Sequence, residues 1–511
     1  MKKNTIVFAV LALTVITTFL SFKKKSAEKW QSKWVRQNAD FSLTYLADEK
    51  GNTIPDFSNV GYMGGHIEIP NIKVVKTLKA VENGSSEQLI QNAIDEVAKL
   101  APDANGFRGA ILLKKGTYLI PGSILINTSG IVLRGEGNEK NATRIVASGT
   151  KKRALIEVAG TGKIKEISGT RVKIADDYVP VGAKSFSVTD AKKFKKGDSI
   201  VVFRPGKDNW INDLKMNQII ARAGTNQWDA KSYNLSFERV VTKIDGNKIF
   251  IDNPIVMAME KKYGGGEVYR CTNNGRIENI GIENLFLESE FETDTSENHA
   301  WDAVLVDNAQ QGWVRNVTAY YFGYSCVNFS DGSKNFTALN CYFIDPKSII
   351  TGGRRYSFNT TGQLNLFMNC NAENGRHDFV TGARVCGPNA FVNCTATKTH
   401  ADIGPHHRWA MGTLYDNIVT DGEINVRDRG NSGSGHGWAG VNQVIWNCKA
   451  KSAIVENPWV TGYNWAIGVQ GKKIKNKLGE RPDGIWEGNN MPGLQPASLY
   501  AAQLQAKKIR K

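Results

Sequence analysis

Seven short stretches between Glu283 and Ser452 repeat one pattern: a hydrophobic residue close before an Asn, then Val, Ile, Leu or Cys, then alternating small and polar residues. They read ENLFLES, RNVTAYY, LNCYFID, MNCNAEN, VNCTATK, YDNIVTD and WNCKAKS. Their asparagines are Asn284, Asn316, Asn340, Asn369, Asn393, Asn417 and Asn447. A period in the twenties to low thirties marks a small unit stacked on the next, because one unit alone cannot bury its apolar face. The alternation of β-branched and aromatic residues makes each unit strand-like. The fold class expected is therefore all-β, a solenoid of short parallel strands. One Asn per coil at a fixed turn position suits a stack whose amides bond from rung to rung. Cys341, Cys370, Cys394 and Cys448 follow that Asn directly and are expected inside as small apolar groups.

The 511 residues carry 50 glycines, 14 prolines and a net charge of +16, which suits a turn-rich globular β protein. The first residues, Met-Lys-Lys-Asn, precede an apolar run from Ile6 to Phe22 and then Lys23 to Lys25, the pattern of an export signal over 1–28. Export implies a periplasmic, cell-surface or secreted protein, with membrane contact only through that segment if it is retained. A positive body on an exported chain favours an acidic polysaccharide as partner. Nucleic acid is not expected, since neither a recognition motif nor a basic helix is present. Seven cysteines, four of them at equivalent coil positions, point to free thiols rather than bridges or a zinc knuckle.

The remaining chain divides into a cap and first coils (29–162), an inserted module (163–262), the main stack (263–470) and a basic C-terminal tail (471–511) that closes in a possible short helix. Within the first part, NGSSEQLIQNAIDEVAKL reads as an amphipathic helix capped from Asn83, Ser85 or Ser86, with Leu89, Ile90, Ala93, Ile94, Val97 and Leu100 on one face. The insertion alternates like antiparallel strands around Asp-Gly and Lys-Gly turns. Its Trp210 and Trp228 have the chemistry to stack on sugar rings or to pack the module's own core.

The capped helix with IQNAID, followed by GAILLKKGTYLI and IVLRGEG, resembles the N-terminal cap and first coils of the pectate-lyase-like superfamily. That resemblance implies a right-handed parallel β-helix with an N-terminal capping helix and an inserted small antiparallel β module. GRHDFVTG, THADIGPHHRWA and GSGHGW resemble bacterial uronate-polysaccharide lyases of the same superfamily. The superfamily also holds hydrolases, epimerases and binding proteins, so fold alone does not choose among them.

Of seven histidines, His377, His400, His406 and His407 crowd into one short stretch and His436 follows soon after, while His66 and His299 lie apart. Neighbouring coils set equivalent positions about 4.8 Å apart. His377 and His400 are thus expected side by side, joined by Tyr356 and Arg376 and by Arg408 in the next loop. Such a group suits β-elimination at a uronate: arginine grips the carboxylate, and histidine and tyrosine move protons. The expected roles are His400 or Tyr356 as base and acid, Arg376 and Arg408 on the carboxylate, and His377 assisting. His406, His407, Arg355, His436, Trp409 and Trp438 are expected to contact substrate, along with Trp210 and Trp228.

Other readings compete with this one. Histidines with Asp378 or Asp402 have the donors for zinc or another transition metal. No cofactor is required, although calcium is possible and Asp416, Asp421, Glu423 and Asp428 offer oxygen ligands. Ser434-Gly435-His436-Gly437 resembles a polygalacturonase-like element, which implies glycoside hydrolysis, but Asn359-Thr360-Thr361 stands without the Asp-Asp pair that chemistry needs. Finally, a glycan-binding solenoid without catalysis would need the charge and the tryptophans but not the histidines.

Overall fold

The computed structural model describes residues 28–65 and 67–509. The export-signal run and His66 lie outside the described residues. The chain is a parallel β-helix: each short strand pairs in parallel with its counterpart one coil later. Phe286 and Leu287 face Thr318 and Ala319, which face Tyr342 and Phe343, then Asn371 and Ala372, then Thr395 and Ala396.

The repeated asparagines sit at a bend in each coil, and all seven have φ between 52° and 57°. This left-handed conformation costs roughly 1–2 kcal/mol for most residues, and Asn tolerates it best after Gly. The side chains then bond upward, with Asn316 Nδ2 donating to Asn284 Oδ1 at 2.9 Å, Asn340 to Asn316 at 3.2 Å, Asn369 to Asn340 at 3.2 Å and Asn447 to Asn417 at 2.8 Å. The four following cysteines are fully buried and unbridged. Each coil interior is filled by aliphatic side chains and a column of rings, Phe329, Phe367, Phe391 and Tyr415, at centroid spacings of 4.9, 4.7 and 5.4 Å.

Helix Glu87–Ala98 covers the N-terminal mouth with Ile90, Ala93, Ile94 and Val97 buried. Ser85 Oγ accepts from Glu87 N at 3.1 Å, so Ser85 satisfies the first turn. Leu100 lies past the helix end and is exposed.

The insertion is an antiparallel sheet whose strands run from Lys165 to Thr272, past the expected boundary at 262. It leaves the stack without interrupting it, because Ile156 before it pairs directly with Val304 after it. Its core joins the outer face of later coils, where Trp210, Trp228 and Tyr233 pack with Trp409, Met411 and Trp438.

The basic C-terminal segment is part of the fold rather than a loose tail. Residues Gln470–Lys473 and Ile485–Glu487 add rungs to the stack. Helix Leu499–Ile509 then buries Leu499, Tyr500, Ala502 and Ala506 against Val35, Leu43 and Phe57 of the N-terminal segment and Trp446 of the stack. Lys508 is exposed, but Lys507 is half-buried and its Nζ donates to Ser58 O and Gly64 O of the N-terminal segment, both at 3.2 Å. Among the described residues no helix is long and apolar enough to cross a membrane.

Candidate functional site

Strand pairing of Phe358 with Phe379 puts Tyr356 opposite His377 in the next coil, with ring centroids 5.1 Å apart and planes at 88°. His406 follows strand Asp402–Pro405 and brings its ring within 4.2 Å of His377 and 5.4 Å of Tyr356. His407 and His436 lie 5.2 Å from His406 and 4.9 Å from each other. His436 comes from the glycine-rich loop between Asp428 and Trp438, which pair as an antiparallel bridge. Gly433 in that loop has φ +56°, and a Cβ there would run into the His436 ring, so only glycine fits.

The module holds this loop from outside. Arg222 Nη2 donates to Gly433 O at 3.0 Å, Asn226 N to Ser434 O at 3.0 Å, and Trp228 Nε1 to Gly435 O at 3.3 Å. From within the stack, Arg408 Nη2 donates to Ser434 O at 2.7 Å.

Beneath the rings, Arg429 clasps Asp402 with two bonds, Nη1 to Oδ2 at 2.6 Å and Nη2 to Oδ1 at 3.2 Å. Burial pushes the Asp402 carboxyl up, but the positive groups around it outweigh this and hold it at about 2. His377 Nδ1 faces the Asp402 carbonyl at 2.7 Å and must donate there, which leaves Nε2 as an acceptor buried without a partner. Burial, reinforced by nearby arginines, lowers His377 and His407 to about 4 and His436 to about 3, and drives His406 lower still. All four imidazoles are neutral at pH 7. Burial raises the Tyr356 hydroxyl above its usual 10, opposed by Arg376 and Arg429.

The remaining expected site residues divide sharply. His400 is exposed, its Nε2 bonds Asn374 Oδ1 at 2.6 Å, and the ring contacts linking the other four histidines do not reach it. Val380 pairs with Gly404 and Thr381 with Pro405. Carried back along the strands, that register sets His377 opposite Ala401 and His400 opposite Arg376. Arg376 is half-buried beside Tyr356 and donates to Gly352 O. Arg355 is buried and its guanidinium is used on the carbonyls of Ser348 at 2.5 Å and Asn374 at 3.4 Å, so it is not free for substrate.

Trp210, Trp228, Trp409 and Trp438 are all buried, with Trp409 5.1 Å from Trp210 and 6.2 Å from Trp228. All four belong to one buried cluster, in which Trp228 also stacks on Tyr233 at 4.4 Å, so they join module to stack and offer no ring to a sugar. His299 is likewise interior, bonded to Ser289 Oγ and Lys347 O.

Arg429 went unrecognised in the sequence, where it reads as one more charge in a glycine-rich turn. Its signal is Arg427-x-Arg429 continuing strand Glu423–Val426, an alternation that sends two guanidinia to one face. Tyr324 and Trp301 were also missed. They extend the Tyr356 ring row toward earlier coils at 5.1 and 6.2 Å spacings.

The acids expected for calcium do not gather. Asp416 is buried against the C-terminal helix, Asp428 bonds Arg481 at 2.9 Å, and Asp421 accepts from Lys398 N. Among the described residues, two sets of side chains bring potential ligand atoms within 4.8 Å of one another: His406, His407 and His436, and His377, Asp402 and His406. Both oxygens of Asp402 are already taken by Arg429.

No protein-family model matches the chain, and no curated protein matches it. Among solved structures it is similar to the Geobacillus virus E2 protein ORF18, at 13% identity and TM-score 0.39, covering 80% of this chain and 57% of that one. It is also similar to the tailspike gp49 of Pseudomonas phage LKA1, at 14% and 0.36, covering 80% and 72%. A third is the polygalacturonase of Erwinia carotovora ssp. carotovora, at 12% and 0.35, covering 82% and 85%.

Proposed function

We propose that the protein is a lyase that cleaves an acidic, uronate-containing polysaccharide by β-elimination at Tyr356. The observation that carries this reading is the setting of Tyr356: its ring stands against His377, with the half-buried Arg376 guanidinium beside its hydroxyl. Arg376 binds the uronate carboxylate and makes the C5 proton more acidic. The Tyr356 phenolate takes that proton and becomes the neutral phenol, the C4–O4 bond breaks to leave a 4,5-double bond, and the phenol passes the proton to the departing oxygen, which regenerates the phenolate. Arg376 and Arg429 lower the cost of that starting phenolate. His377, closed in behind the ring with 1% exposure, is a positioning residue.

Glycoside hydrolysis needs two carboxyls facing the sugar. Here Asp402 is held by Arg429, and Asp378 is fully buried and bonded to Ser357 Oγ at 2.6 Å. The +16 charge supports an acidic substrate.

The test is incubation with a panel of uronate glycans while following the ultraviolet absorbance of the unsaturated product. The rate should fall by about 10²-fold or more in Tyr356→Phe and leave His400→Ala near wild type. New reducing ends without that absorbance would favour hydrolysis, and binding with neither would favour a non-catalytic solenoid.

A further inference from the structure

Three of the clustered rings have an unusual common feature. Nδ1 of His406, of His407 and of His436 is buried and has no hydrogen-bond partner in the protein. A buried polar atom without a partner is costly, and natural structures keep few of them. Here three occur on rings that converge, with one nitrogen from each within 4.8 Å of the other two. The backbone is arranged to keep them together. His406 and His407 leave the stack on consecutive residues, and His436 is aimed back at them by a loop that tolerates no Cβ at Gly433. That loop is fixed from the module by Arg222, Asn226 and Trp228, so convergence does not depend on a mobile segment.

We infer that His406, His407 and His436 form a three-histidine site for a divalent transition-metal ion of the zinc type. The donor set selects the metal. Three imidazoles with no carboxylate suit zinc, nickel or copper and not calcium or magnesium, which demand oxygen ligands. Three protein ligands also leave coordination positions open for water or a substrate oxygen, as in catalytic rather than structural zinc sites. The neighbouring set of His377, Asp402 and His406 is the weaker rival, since Asp402 is committed to Arg429 and His377 Nδ1 to a backbone carbonyl.

The arginines nearby do not forbid a cation. Arg429 is matched by Asp402, and Arg408 is turned toward Ser434, with its Nη2 on both the carbonyl and Oγ at 2.7 and 2.8 Å. Their placement gives the site a use for an anionic ligand: a carboxylate or sulfate on the metal would find a guanidinium at its side.

The site stands apart from the proposed β-elimination, because ion uptake is read without substrate. Loss of one leaves the other intact. The experiment is calorimetric titration of the metal-stripped, untagged full chain with zinc chloride, repeated with cobalt(II) to read the visible bands of a low-coordinate ion. One ion per chain is expected, weakened at least about tenfold in both His436→Gln and His407→Ala, with His400→Ala binding as wild type. Circular dichroism of each variant checks that it is folded, and His436→Gln, on the half-exposed loop, is the variant least able to disturb the stack. No stoichiometric uptake, or equal uptake in His436→Gln and His407→Ala, overturns the site.

Discussion

Breaking the Arg429–Asp402 clasp tests whether the ring cluster rests on a buried ion pair. The two side chains are 8% and 13% exposed and share two bonds. Asp378, fully buried with no guanidinium against it, is pushed up to about 7, whereas Asp402, opposed by His377 and Arg429, lies at about 2. Measured losses on removing one partner of a buried pair are about 3–5 kcal/mol. Arg429→Met should therefore cost about 3–5 kcal/mol, and Asp402→Leu a comparable amount. The double variant should cost less than their sum by at least about 2 kcal/mol, because it leaves no buried charge unpaired. Urea unfolding followed by tryptophan fluorescence at pH 7, with chelator throughout, gives the four values. Strict additivity, or an Arg429→Met midpoint equal to wild type, would refute the idea that this pair supports the site.

Three further outcomes follow from the packing. Asp416 is buried, accepts from Ser498 Oγ at 2.7 Å and Tyr500 N at 2.8 Å, and is pushed up to about 7. A carboxyl raised in the fold binds its proton more tightly than in the unfolded chain, so it costs progressively more stability between about pH 4 and 7. The stability difference between Asp416→Asn and wild type, from urea curves at several pH values, should therefore shift in favour of the variant across that range and level off above it. Asn340→Ala loses two ladder bonds and puts at φ 53° a residue that tolerates the left-handed region less well than Asn, for about 2–3 kcal/mol, while Asn340→Gly recovers about 1 kcal/mol of that, both read from urea midpoints. Trp228→Ala should cost about 3–5 kcal/mol of stability, as for a core ring, seen as a lowered thermal midpoint.

The asparagine repeat exposed the stack because a parallel coil must bend at the same place each time, and few residues accept that bend. The cysteines followed for the same reason: whatever comes after the bend points inward. The clustering of His377, His406, His407 and His436 was legible from spacing alone. The place of His400 was not. Setting it beside His377 takes the coil to be one position shorter than it is, and a one-residue slip on a strand exchanges inside for outside. The tryptophans misled for another reason. Trp210 and Trp228 lie in a polar stretch of sequence, and nothing local announces that Trp409 and Trp438, far along the chain, supply the surface that buries them. The Arg429–Asp402 pair escaped notice because its members come from different coils, and charges in turns normally face water.

A parallel β-helix presents a repetitive face, and this chain breaks that repetition by packing an antiparallel module against its later coils. The four buried tryptophans are the seam of that join, and the seam lies directly behind the site: Trp409 stands two residues after His407, and Trp438 two residues after His436. So short a tether to a wedged indole limits how far the histidine backbone can move, while Gly433 and Gly435 let the loop turn tightly enough to reach back. The module therefore bears on the histidine loop by direct bonds from Arg222, Asn226 and Trp228. It also explains why three rings can be held close with unpartnered nitrogens, an arrangement that a loop free to relax would abandon.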